Sequence, residues 1–128
     1  CRLADPDVNF ADYDWDGDGY VEQVYVLFAG LGQAAGGDEN TIWPHEYKLQ
    51  EGNNGSYVSK DNNVVVNTYA CGPELTLQYT PVAYRERVDG IGTLCHEFSH
   101  CLGYPDLYDT GNGGNFGMGE FDLMDAGS

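Results

Sequence analysis

His96-Glu97-Phe98-Ser99-His100-Cys101-Leu102-Gly103-Tyr104-Pro105-Asp106 carries more structural content than any other stretch of this sequence. Its apolar spacing predicts a helix from about Val88 to Leu102. Ile91, Leu94, Cys95, Phe98 and Leu102 form a face expected to meet a core, and His96, Glu97 and His100 occupy the other side. Gly103 supplies a left-handed stop and Pro105 blocks continuation, so the helix should end soon after His100. Histidines at i and i+4 stand one above the other, and their imidazoles can converge on one zinc ion at about 2.0 to 2.1 Å. Glu97 projects beside that point, where it can act on a water rather than ligate. A chance H-E-x-x-H in a chain this short has a frequency well below roughly one per cent. A catalytic zinc wants three protein ligands and an open position. Asp106 is the expected third, because the turn at Gly103 can swing its carboxylate back. Glu120, twenty residues after His100, and His45 are its rivals. The glycines around Glu120 argue against the second helix that such a ligand would normally occupy.

The longer string has the metzincin spacing H-E-x-x-H-x-x-G-x-x-H with Asp in the last place, and Met124 could supply a methionine turn beneath the metal. Read with D-G-D-G-Y-V-E, V-Y-V-L-F-A-G, I-W-P-H and F-D-L-M-D-A-G-S, it resembles the immune inhibitor A-like family of secreted bacterial zinc metallopeptidases. The resemblance implies zinc held by His96, His100 and Asp106, Glu97 as general base and acid, and Met124 in the turn below. It implies a secreted endopeptidase acting on protein or peptide substrates. The expected fold class is α+β: a metzincin-like zinc metalloprotease catalytic core with a small twisted sheet, an active-site helix and long Gly-rich loops. Such domains usually carry another helix behind the sheet, and no second amphipathic helix is visible. Residues 1–128 are therefore expected to be a metallopeptidase catalytic domain incomplete at both ends. The alternative is an extracellular calcium-binding adhesion or scaffold module with a structural or degenerate zinc site, which would have no need of Glu97.

A second candidate site lies in the acidic loop D-Y-D-W-D-G-D-G-Y-V-E, residues 12–22. Started at Asp14, it matches the first nine positions of a calcium loop, with the side chains of Asp14, Asp16 and Asp18, the Tyr20 carbonyl and Glu22 as ligands. A register from Asp12 puts Gly17 at the turn instead. Neither has Glu at the twelfth position, so a structural calcium loop leading into a strand is expected, not half of a helix-loop-helix sensor. The run that follows, Val24 to Gly30, reads as a buried central strand. Strands are also expected at Asn63 to Tyr69 and Leu75 to Tyr79, with Pro73 and Pro81 as breaks. The polar stretch from Glu51 to Asn63 reads as a surface connection. The strand near Val64 to Tyr69 is a candidate edge for an extended peptide.

Five Lys and Arg against 21 Asp and Glu give a net charge of −16, which repels a phosphate backbone and argues against nucleic-acid binding. The longest apolar run falls far short of the roughly 20 residues that span a bilayer. Cys1, Cys71, Cys95 and Cys101 permit three complete pairings. Cys95 and Cys101 are excluded as partners by about 9 Å of helical rise, which leaves Cys1 and Cys71 to pair with them, or free thiols.

Overall fold

A computed structural model describes residues 1–52, 55–59, 63–111 and 113–127. Its main sheet is mixed. Strand β1 (Val24–Leu31) runs parallel to the twelve-residue β5 (Thr68–Tyr79), and β2 (His45–Lys48) and β6 (Tyr84–Val88) are both antiparallel to β5. A separate hairpin pairs β3 (Tyr57–Val58) with β4 (Val65–Val66). The one α-helix among the described residues, α1 (Ile91–Cys101), packs on β5 and β2. No helix among them is long and apolar enough to cross a membrane. Short 3-10 turns cover Phe10–Tyr13, Gln33–Ala35, Leu49–Glu51 and Gly119–Phe121.

The sheet departs from the sequence expectation in its order. β5 is central and β1 pairs only with it among the described residues, so the apolar run after the acidic loop is not the central strand. Tyr69 is flanked by Val24 on one side and Tyr47 on the other, so this segment is no edge for a docking peptide. Of the two strands expected on either side of Pro73, the first divides between β4 and the start of β5, and β5 then runs unbroken through Pro73 to the end of the second. Pro73 faces Phe28 of β1, while on its other side β2 begins with His45 opposite Cys71 and β6 ends with Val88 opposite Leu75. The missing proline N–H falls in the gap between two partner strands, where no ladder bond is lost. A bulge in β1 between Phe28 and Leu31 accompanies Gly30 at φ 81°, whose N–H donates to the Glu74 carboxylate at 3.2 Å.

The compact core lies at the acidic-loop end. Phe10, Val21, Val64 and Val66 are buried together, with Val8, Ala11, Val24, Leu49 and Tyr57 packed around them. Val21 donates to the Val65 carbonyl at 2.9 Å and Val65 to the Gly19 carbonyl at 2.8 Å, tying the acidic loop to β4. Each fully buried side chain of this size contributes about 1.5 to 3 kcal/mol, so this end is the firmly anchored one. Residues 53, 54 and 60–62 of the expected Glu51 to Asn63 connection, with Asn112 and Ser128, lie outside the described residues.

The helix starts three residues later than expected, because Tyr84 to Val88 extend as β6 and Gly90 forms the N-cap. Its apolar face is also not a core face among the described residues. Ile91, Leu94, Phe98 and Leu102 keep 76%, 40%, 37% and 65% exposure, whereas the buried helix residue is Glu97. The side carrying the histidines and Glu97 meets the sheet. All four cysteines are free thiols, Cys71 buried and Cys1 exposed.

Candidate metal centre

The end of α1 decides where the site forms. Leu102 caps the helix, Gly103 takes φ 91°, its N–H donates to the His100 carbonyl at 2.9 Å, and Tyr104 N–H reaches the Ser99 carbonyl at 3.1 Å. This is a Schellman closure, which needs a residue free to adopt the left-handed conformation. The reversed chain brings the Tyr104 carbonyl within 2.7 Å of His100 Nδ1 and carries Asp106 back over the helix. From the other side, the segment through Met124 closes beneath. His96 Nδ1 lies 2.8 Å from the Leu123 carbonyl, Leu107 N–H donates to the Met124 carbonyl at 2.8 Å, and Met124 is buried.

A carbonyl can only accept, so each Nδ1 carries a proton, and in the neutral ring that leaves Nε2 with the lone pair. Those two Nε2 atoms are 3.2 Å apart, and Asp106 Oδ1 lies 3.2 Å from His96 Nε2 and 3.3 Å from His100 Nε2. Asp106 Oδ1 is buried and has no hydrogen-bond partner. Three acceptors facing one another repel unless a cation sits among them. Ligand atoms on a tetrahedral zinc at about 2.0 to 2.1 Å are about 3.3 Å from one another, so the triangle has the dimensions of a metal face. Reading these contacts as ion pairs would require protonated rings, and carbonyl-bound Nδ1 atoms with a shared anionic neighbour describe a ligand set better. Carbonyls behind both imidazoles are the outer hydrogen bonds that fix ring orientation in metal sites.

Glu97 is 7% exposed, and burial pushes its carboxyl above the usual range; Asp106 adds to that, while His96, His100 and His45 oppose it. It borders a cleft of about 670 Å³ that also contains the three converging side chains, Trp43, His45, Arg87 and Tyr108. His45 lines this cleft with both ring nitrogens engaged, Nδ1 at 2.7 Å from the Trp43 carbonyl and Nε2 at 2.9 Å from the Tyr69 hydroxyl. Glu120 sits in the 3-10 turn Gly119–Phe121 and joins no ligand cluster among the described residues. Sequence reading missed Tyr108, whose hydroxyl is held in its protonated form by burial and by hydrogen bonding to Asp106. Its position two residues beyond Asp106 was the available signal.

The acidic loop folds as a tight cradle. Asp14, Asp16 and Asp18 present carboxylate oxygens within 4.8 Å of one another. Asp14 Oδ2 accepts from Gly19 N–H at 3.0 Å, Asp16 from Asp18 N–H at 3.0 Å and Asp18 from Tyr20 N–H at 2.8 Å. Asp14 Oδ1 is buried without a partner. Glu22 Oε1 takes the N–H groups of Trp15 and Asp16, so this oxygen closes the loop. Gly17 and Gly19 both have positive φ, and Gly19 holds the turn position of the register that starts at Asp14.

Residues 3–128 match the family described as immune inhibitor A peptidase M6, catalytic domain. Among curated proteins, the chain is 30% identical over 125 residues to the pre-pro-metalloprotease PrtV of Vibrio cholerae serotype O1, strains M66-2 and ATCC 39315 / El Tor Inaba N16961. That similarity covers 83% of this chain and 12% of PrtV. It is also 30% identical over 112 residues to immune inhibitor A of Bacillus thuringiensis subsp. alesti, covering 79% of this chain and 15% of that protein. The chain thus spans less than a sixth of the length of these relatives.

Proposed function

The chain belongs to the immune inhibitor A peptidase M6 family, within its catalytic domain, and from that premise we propose that it forms the metal-bearing core of a secreted zinc endopeptidase acting on proteins. His96, His100 and Asp106 would hold the zinc, in keeping with a metzincin-like core, with Met124 in the turn below. The observation that carries this reading is the triangle of Nε2, Nε2 and Oδ1 atoms 3.2 to 3.3 Å apart, with both Nδ1 atoms committed to carbonyls. When bound, zinc would supply Lewis acidity towards the scissile carbonyl and acidify the attacking water.

Glu97 does the proton work. Its neighbour His96 points at the ligand triangle, and its own carboxylate borders the same cleft. It accepts a proton from the attacking water and returns one to the leaving nitrogen. Low exposure favours this use, because a buried carboxylate holds a transferred proton more readily than a solvated one. His45 and Tyr108 line the wall of the cleft. Residues 1–128 act as part of a catalytic domain, a reading supported by the apolar face of α1, uncovered among the described residues.

Calcium at Asp14, Asp16, Asp18, the Tyr20 carbonyl and Glu22 is proposed as a structural ion. The orphaned Asp14 Oδ1 supports it, as does the anchoring of the loop to β4. An adhesion module with a purely structural metal would have no use for a buried carboxylate beside the ligands, and Glu97 favours the peptidase. In Glu97→Gln the expected result is zinc retained at full stoichiometry with casein cleavage reduced by at least about a thousandfold, since the general base is lost. Near-wild-type cleavage by this variant would exclude the assignment.

A further inference from the structure

The proposed catalytic cleft is lined by negative charge with one exception. Glu46, Asp89, Glu97, Asp106 and Asp125 border it, and Arg87 is the Lys or Arg among its lining residues. Arg87 lies on β6, opposite Thr76 of β5, and Thr76 lines the same cleft. Among the described residues no carboxylate is within ion-pair distance of its guanidinium, although the chain carries 21 Asp and Glu. An arginine presented to a cleft and left without an internal partner offers a planar fork of donors suited to a carboxylate. The surrounding acids sharpen that offer. Away from Arg87 and the proposed metal, a substrate carboxylate in the cleft meets like charge, so Arg87 is the side chain of this wall suited to receive one.

We propose that Arg87 is a specificity-determining residue that receives a carboxylate of the substrate near the scissile bond. The inference rests on the peptidase reading above and adds a charge preference at one subsite. β6 presents its outer edge unpaired among the described residues, so an extended substrate can pass the guanidinium without displacing a strand. A side-chain carboxylate and a chain-terminal one have the same chemistry here, and the experiment separates them.

The test uses the full-length protein with zinc and a set of internally quenched peptides. Each carries Glu, Gln or Lys at one of three positions on either side of the cleaved bond, with either an amidated or a free C-terminus. In the wild type, Glu is expected to exceed Gln in kcat/KM by about fivefold at one position, the size of a partly exposed ion pair. Arg87→Gln should bring that ratio to about one, and Arg87→Glu should turn it in favour of Lys. Because the readout is a ratio within each variant, a general loss of activity does not disguise it. Preference confined to free C-termini would assign the carboxylate to the chain end. An unchanged Glu/Gln ratio in Arg87→Gln, or no acidic preference in the wild type, would overturn the inference while leaving the peptidase reading intact. A zinc-loaded wild type that cleaves none of the peptides would overturn that reading and the inference with it.

Discussion

Gly72 shows how tightly single residues are constrained beneath the helix. A Cβ there would overlap the Tyr25 hydroxyl and approach Thr93 Cγ2 of α1 at 3.6 Å. Tyr25 is itself pushed up to about 12, chiefly by burial and then by the nearby Glu97 charge, so its hydroxyl stays protonated where it sits. Gly72→Ala is expected to cost about 1 to 3 kcal/mol as the tyrosine ring is forced aside. Urea unfolding would measure it, and a change below about 0.5 kcal/mol would mean the ring moves at no cost. At this scale the sequence was informative where side-chain identity and spacing carry the signal. His96, His100 and Asp106 converge as their spacing implies. The Leu123 and Tyr104 carbonyls that orient the two imidazoles were not legible, because a backbone oxygen has no residue-type signature.

Among the elements, α1 and the acidic loop were legible and the sheet was only half so. The helix carries a 3.6-residue period and a Gly103 stop, both local signals. β5 was split at Pro73 because the rule that proline breaks a strand assumes a ladder on both sides, and here the partners change at that residue. β2 and β6 are short and polar, so alternation could not reveal them: H-E-Y-K exposes two of its four side chains and Y-R-E-R-V all five. The acidic loop had a pattern of its own, and its three aspartates do approach one another. Filling that loop should be felt across β4, to which it is hydrogen-bonded. With a Kd of about 0.1 mM, 1 mM calcium would add about 1.4 kcal/mol, or about 5 °C in Tm. Magnesium at the same concentration should do less, since it prefers to keep its waters. Calorimetry with no heat and no Tm shift at millimolar calcium would exclude the site.

Across the whole molecule, the side of α1 that faces the sheet is chemical and the apolar side is open among the described residues. Sequence periodicity identifies which residues share a face but not which neighbour covers it, and among the described residues the apolar face of α1 has none. The helix meets the sheet where Thr93 lies against Gly72 of β5 and Glu97 is buried, and its histidines are tied to the segments carrying Tyr104 and Leu123. Family membership rests on a match over residues 3–128. The zinc ligand set is the central claim, and anomalous diffraction at the zinc edge from crystals of the protein tests it most directly. The expected result is one peak about 2.0 to 2.1 Å from His96 Nε2, His100 Nε2 and Asp106 Oδ1. A peak with Glu120 or His45 in place of Asp106, or no zinc peak between the two histidines, would contradict it.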